Sequence, residues 1–404
     1  MTDDGKGKRT RVLYVDTSLG FGGAVKSLSL TLASLPTVDK IVLTSQDRDI
    51  IAMWFGGLKV LSFRRVLNYR NKDRINARLK PGATRWLARK AFALADLVET
   101  SRNSLRLAWI VRRHRIELIH LNNGFVPAEA LGAAMITRTP LVVHMRTIAE
   151  APVSGSWMRH TAHVIAVSSG VADSLDEHQI VPRATTVVHD PVDIAHVESY
   201  SASRERIRSE LKIADDHIAV GVFGRVIRWK GQLEFTKAMI EAMRRNPKLR
   251  AVIVGDEADG STKYFASIKQ CIEDSGLQAG FILAGYRSNV EEFYAAMDIV
   301  VHASVFPEPF GMVVPEAMAA RRAVIASDAG GPRDIIENGV NGILVPPGDV
   351  NALANAVTKL AADQELRDRL ATAGARSAAR FSVESSANKV AEVYSTVLNR
   401  GHLG

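Results

Sequence analysis

At 404 residues and 47% hydrophobic content the chain is too long for one ordinary domain and has apolar residues enough for two cores. No apolar run approaches the ~20 residues of a bilayer-spanning helix. The opening MTDDGKGKRT lacks the apolar segment of a secretory signal, and the single Cys271 excludes an internal disulfide, so a cytoplasmic setting is expected. The net charge of +9 is uneven: sixteen Lys and Arg fall between Lys59 and Arg115 against only Asp73, Asp96 and Glu99. A stretch of that kind meets something anionic, such as phospholipid, a lipid-diphosphate acceptor or nucleic acid. No His/Cys cluster has zinc spacing, and no metal is expected.

Along the chain, residues 1–10 read as a polar lead-in. Arg11–Asp16 is an apolar run of strand length, Thr17–Gly23 a glycine-rich turn, and Ala24–Leu35 carries helical spacing in Val25, Leu28, Leu32 and Leu35. Strand, glycine turn and helix open a doubly wound α/β unit. Strand-like runs follow at Ile41–Thr44, Leu118–Leu121, Leu141–His144, His163–Val167 and Thr186–His189. The insert Phe63–Arg115 breaks this rhythm. Within it Thr84–Val98 sets Trp86, Leu87, Phe92, Leu94 and Leu97 among Arg85, Arg89 and Lys90. That amphipathic helix reads equally as a surface element leaning on anionic lipid or as a domain helix with a basic outer face. Strand density then drops through Asp193–Ser203, which is expected to be a linker.

A second alternating series supplies strands at Ala219–Phe223, Ala251–Val254, Phe281–Ala284, Ile299–Val301, Ala323–Ser327 and Gly342–Val345. Helices lie between them at Gly231–Arg245, Tyr264–Asp274, Val290–Met297 and Met312–Ala320. Three helices from Val350 finish the chain. The expected architecture is two Rossmann-like doubly wound domains, binding ligand at the carboxyl ends of the strands and in the cleft between them.

The most informative stretch is Phe306–Ala320, FPEPFGMVVPEAMAA. Pro315 fits a helix only in its first turn, so Gly311, Met312 and Val313 should offer free N–H groups at a helix start, suited to phosphate. Glu308 stays on the preceding loop and Glu316 projects from the helix. Taken singly, either carboxylate also fits a solvated dipole partner. In GRVIRWKG, Arg225 at a strand end and Lys230 before a helix combine a bidentate cation and a point charge, as a diphosphate cradle requires. Gly20–Gly23 fails as a dinucleotide fingerprint because Val25 occupies the third glycine position. His144 ends a strand, with Arg146 two residues on. Gly255-Asp256 and Gly285-Tyr286-Arg287 follow two later strands, and Tyr286 suits either stacking on a base or covering the core edge.

Glu308, Phe310, Gly311, Glu316, Ala317 and Met318, with Gly330, Gly331, Gly339, Asn341, Gly342 and Pro346–Gly348, resemble the retaining glycosyltransferases of family 4, also called glycosyl transferase group 1. The resemblance covers most of the C-terminal half. It implies the GT-B fold: a first domain over 1–195 for the acceptor, carrying the basic insert of about 63–115, and a second over 196–381 for the nucleotide-sugar. Residues 382–404 would then form a helix returning to the first domain.

The implied reaction is retaining transfer from a UDP- or GDP-sugar to a glycan, lipid-linked or other hydroxyl acceptor in envelope or polysaccharide synthesis, without metal or cofactor. Glu308, His144, Arg225 and Lys230 would be catalytic. Gly22, Gly23, Gly255, Tyr286, Val290, Gly311, Met312, Val313 and Glu316 would join Arg225, Lys230 and Glu308 in holding the donor. Glu308 would take sugar hydroxyls and Glu316 the ribose, with a same-face displacement, or a covalent Glu308 intermediate, giving retention. Asp256 stands where the family commonly has Gly, and His189-Asp190-Pro191 replaces its usual Pro-Asn-Gly. The basic insert adds an anionic membrane surface as an expected partner, and with it a peripheral position at the inner membrane face. The alternative is a non-catalytic binder of nucleotide-sugar or polyanion. A nicotinamide-dependent oxidoreductase would be distinguished by NAD(P) binding.

Overall fold

Apolar runs of strand length become parallel strands in two separate sheets. In this computed structural model residues 9–17, 22–35, 37–44, 48–62, 83–257 and 260–401 are described. Turn residues 18–21, residue 47 and insert residues 63–82 lie outside them.

The first sheet comprises β1 (Thr10–Asp16), β2 (Val38–Thr44), β3 (Lys59–Ser62), β4 (Leu118–Leu121), β5 (Leu141–Met145), β6 (Thr161–Ala166) and β7 (Thr185–Val187). Its order is β3-β2-β1-β4-β5-β6-β7. The second comprises β8 (Ile218–Phe223), β9 (Leu249–Val254), β10 (Phe281–Gly285), β11 (Ile299–His302), β12 (Ala323–Ser327) and β13 (Ile343–Val345), in the order β10-β9-β8-β11-β12-β13. Strand order reverses beside β1 and β4 in one sheet and beside β8 and β11 in the other. Chain leaving the carboxyl ends of such strands parts in opposite directions and opens a crevice there.

By contacts the chain divides into two units. One holds 1–166, 172–188 and 387–404, and the other 167–171 and 189–386. In the first, Val390, Val393, Tyr394 and Val397 of the final helix Val383–Gly401 are buried with Val12, Tyr14 and Leu118. Their spacing of three, four and seven lays one apolar stripe against the sheet. In the second, Phe235, Met239 and Met243 of the helix Gln232–Arg245 pack with Val220, Ile253 and Leu360.

Two segments differ from the sequence reading. β3 was not anticipated, because KVLS is short and its outward lysine hides the alternation. The stretch 193–203 is not a bare linker: Asp193 accepts the His196 N–H at 3.0 Å and so caps the helix Ile194–Ser199.

Gly231 shows how tightly the loops over the second sheet fit. It has φ +70, and a Cβ there would lie 1.9 Å from the Ala303 carbonyl oxygen. Gly231→Ala is expected to lose about 1–2 kcal/mol from the left-handed backbone alone and more from the clash. Gly276→Ala, at φ +71 with nothing within 4 Å, should show the backbone part only. Denaturant unfolding of the two variants checks this, and equal losses would remove the clash from the account.

Candidate functional site

Glu308 follows β11 on a loop whose path is fixed by backbone. Glu308 and Gly330 form an isolated parallel bridge, and the Gly331 N–H donates to the Glu308 carbonyl at 2.8 Å. A Cβ on Gly330 would lie 2.2 Å from the Glu308 carbonyl oxygen and one on Gly331 2.3 Å from Phe310 Cα. The paired glycines are needed because two backbones touch there.

The Glu308 side chain is fully engaged. Lys230 Nζ donates to Oε1 at 2.5 Å, while His302 Nε2 at 2.7 Å and the Ser304 hydroxyl at 2.8 Å donate to Oε2. Burial pushes this carboxyl up, but the Lys230 ammonium and His302 outweigh it and hold the group well below the usual carboxylate range. The anion is therefore fixed and oriented at every pH near neutrality. The His302 Nδ1 is buried without a hydrogen-bond partner among the described residues.

Glu316 is buried on the helix Val313–Ala319 and accepts a hydrogen bond from the Tyr294 hydroxyl at 2.9 Å. Burial, and next the Glu316 charge, raise the Tyr294 pKa well above normal, so that hydroxyl stays a donor. Tyr294 also packs against Phe223 at the end of β8, with ring centroids 4.4 Å apart. Pro315 is the third residue of its helix. The first helical bond runs from Val314 N–H to the Gly311 carbonyl at 2.9 Å, so the N–H groups of Gly311, Met312 and Val313 precede the ladder.

Arg225 is exposed, and its guanidinium makes no hydrogen bond or ion pair among the described residues. Gln232 Nε2 donates to its carbonyl at 2.8 Å and steadies the loop. Gly255 N–H donates to the Gly285 carbonyl at 2.9 Å, which ties the loops after β9 and β10. Tyr286 is 66% exposed and Val290 half-buried. Lys230 and Glu308 are thus brought together by direct contact. Arg225, Tyr286 and Val290 share the same sheet edge without touching them through any hydrogen bond.

In the first unit Gly22 caps the helix Gly23–Ala33 in an extended conformation. At the carboxyl ends of β1, β4 and β5 lies a buried polar network. Asn122 Nδ2 donates to Asp16 Oδ1 at 3.0 Å, and Arg146 Nε donates to Asn122 Oδ1 at 3.0 Å. Arg146 also donates to the Ser27 hydroxyl at 2.7 Å and to His144 Nδ1 at 3.3 Å. A guanidinium only donates, so His144 Nδ1 accepts and its proton sits on Nε2. That Nε2 is buried without a partner among the described residues. Burial, then Arg146, then the neighbouring His120 push the His144 pKa well below 6.5, and burial likewise lowers His120 to about 3. Tyr394 of the final helix closes the network with its hydroxyl 2.7 Å from His120 Nδ1.

Sequence reasoning missed His302, Ser304, Tyr294, Asp16 and Asn122. Four of the five lie at a strand's last residue or within two residues after it, the one signal that marked them. His189, at the departure from the family pattern, lies 3.1 Å from Asp334 and stacks on Phe310, two residues from Glu308. Among the described residues no group of three or more His, Cys, Asp or Glu side chains is placed to hold a metal ion.

Two parallel α/β units joined through a C-terminal helix, with a glutamate pair at the switch point of the second, define a GT-B glycosyltransferase. The model of glycosyl transferases group 1 matches residues 203–377, and that of glycosyltransferase family 4 matches 87–196. The lipopolysaccharide core mannosyltransferase LpsB of Rhizobium meliloti is 30% identical over 247 residues, 60% of this chain and 67% of that protein. The alpha-D-kanosaminyltransferase of Streptomyces kanamyceticus is 30% identical over 59% of this chain, a match spanning 61% of that protein. Anabaena HepE, solved in complex with UDP and glucose, superimposes with a TM-score of 0.79 at 26% identity, over 96% of this chain and 100% of that one. The chain belongs to glycosyltransferase family 4.

Proposed function

We propose that this protein transfers a sugar from UDP-sugar, with retention, to a hydroxyl of a glycan or lipid-linked acceptor in envelope polysaccharide or lipopolysaccharide synthesis. The observation that carries the reading is the Lys230–Glu308–His302 contact at the second sheet's switch point. The second unit takes the donor. Arg225, Lys230 and the Gly311, Met312 and Val313 amides oppose charge growing on the leaving diphosphate, a large catalytic term. Glu316 receives the ribose hydroxyls and Glu308 those of the sugar. Gly255, Tyr286 and Val290 border the base. The leaving phosphate itself helps remove the acceptor proton, so attack occurs on the face that UDP leaves.

The first unit takes the acceptor, with Gly22 and Gly23 where backbone approaches the ligands and His144 Nε2–H donating to the transferred sugar. The UDP preference rests on the likeness to HepE, and the acceptor class on the lipopolysaccharide core relatives. UDP at one hundred times its Kd should stabilise the protein by about 2.7 kcal/mol. A thermal-shift comparison of UDP, GDP and NAD(P) checks this. A shift with GDP alone would reassign the base, and one with NAD(P) alone would overturn the reading. Release of UDP from UDP-sugar separates an enzyme from a mere binder.

A further inference from the structure

The two oxygens of Glu308 are held in different ways. Oε2 takes two donors, His302 Nε2 at 2.7 Å and the Ser304 hydroxyl at 2.8 Å, while Oε1 takes Lys230 Nζ at 2.5 Å. His302 is the last residue of β11, with its side chain 3% exposed, and Ser304 is buried two residues on. The Ser327 hydroxyl, at the end of β12, donates to the His302 carbonyl at 3.3 Å. A Cβ on Gly311 would lie 3.4 Å from His302 Nε2, so the loop running on from Glu308 also covers the ring. The Oε2 side is thus built into the sheet. An ionised carboxylate only accepts, so His302 presents Nε2–H to it.

Oε1 has a freer partner. Lys230 reaches it on a flexible four-carbon stem, and among the described residues its Nζ has besides it only the face of Trp229, 4.3 Å away. The side chain of Glu308 has roughly four acceptor positions, and its three donors leave one of them open. A diphosphate carries more charge than one carboxylate and competes for the same ammonium. Once Lys230 turns to it, Glu308 stays oriented only through its remaining donors, and both of those sit on Oε2.

We propose that His302, with Ser304, is a positioning residue: it anchors Glu308 through Oε2 while Oε1 passes from Lys230 to a hydroxyl of the donor sugar. The diphosphate takes the ammonium and the vacated oxygen accepts the hydroxyl, with no covalent bond made or broken. His302 acts through Glu308 and not on the donor itself. The inference rests on the donor reading of Lys230 and Glu308 and adds to it how one carboxylate oxygen serves first the lysine and then the sugar. Sugar recognition thus waits on the diphosphate, because a free hexose finds Oε1 occupied.

UDP affinity would be measured by calorimetry on the full chain. Turnover would be read as UDP release from whichever of UDP-glucose, UDP-galactose and UDP-N-acetylglucosamine the wild type splits fastest. His302→Asn, whose amide nitrogen reaches only to the place of Nδ1, should lower kcat by about 10- to 100-fold, the cost of misplacing a catalytic group. Its UDP affinity should stay within about twofold of wild type, since UDP carries no sugar for Glu308 to hold. His302→Gln, whose amide nitrogen can take the place of Nε2, should bring kcat back to within about fivefold of wild type. Glu308→Gln should bind UDP at least about threefold tighter, because Lys230 no longer has a competing partner, and that gain should vanish in the Lys230→Met background. If His302→Asn fails to fold, Ser304→Ala is read for the same kcat loss at unchanged UDP affinity. Equal kcat losses in the Asn and Gln variants, no loss in either, or a gain in UDP affinity that persists without Lys230 overturns the proposal. A wild type that binds no UDP, or splits none of these nucleotide-sugars, removes the donor reading itself.

Discussion

Lys230→Ala is expected to lower turnover by about 100-fold or more, the scale for removing one charge stabiliser from a transition state. The structure adds a second consequence. Lys230 is also the counter-ion of a buried glutamate, with side chains 15% and 12% exposed and 2.5 Å between Nζ and Oε1. Removing one partner of such a pair costs roughly 3 kcal/mol, because the remaining charge stays desolvated. The sign of the pH effect follows. In the wild type Glu308 is held well below its usual 4.5, so its contribution to stability is complete above about pH 4.5 and is lost only as pH falls further. Without Lys230, burial opposes ionisation, and both the stability loss and the acid limb of activity move to higher pH. UDP release measured from pH 5 to 9, with denaturant unfolding at the same points, reads both effects. Lys230→Met combined with Glu308→Gln should regain most of the stability and none of the activity. A Lys230→Ala enzyme with near-normal turnover would sink the assignment.

That Lys230 is the counter-ion of Glu308 could not be read from GRVIRWKG. The sequence placed a cation before a helix, and it placed Glu308 on a loop, because proline, glycine and strand periodicity are local signals. The contact between them spans 78 residues and depends on Gly330 and Gly331 letting the Glu308 backbone press close. The same holds for Tyr294, whose hydroxyl reaches Glu316 across two helices. Its sequence neighbours read simply as a helix. Both sheets were legible because buried parallel strands are continuous apolar runs. β3 escaped because KVLS begins with an exposed lysine and is only 4 residues long. The pairing of Asp16, Asn122 and Arg146 escaped because each looks like an ordinary polar residue after a strand. Only the topology, which sets β1 beside β4 and β4 beside β5, makes them neighbours.

His144→Ala is expected to cost about 100-fold in turnover, the magnitude of one oriented donor lost from the transition state. The His144 Nε2–H is buried with no acceptor among the described residues, and in the proposed complex a sugar hydroxyl supplies one. Since the His144 pKa lies well below 6.5, the ring is neutral at working pH, and no activity limb near 6.5 should belong to it. Stability should carry the signature instead. A histidine whose folded pKa is depressed binds its proton first in the unfolded chain. Stability therefore falls as pH drops below about 6.5, by about 1.4 kcal/mol per unit for each such group. His144 and His120 both contribute, and the His120 share persists down to about pH 3. His144→Gln should remove one of the two contributions to the slope between pH 6.5 and 5 and leave the other. Imidazole proton shifts followed by NMR assign each pKa directly. A His144 that titrates near 6.5 in the folded protein would show that its ring is hydrated and charged, and the neutral-donor role would fall with it.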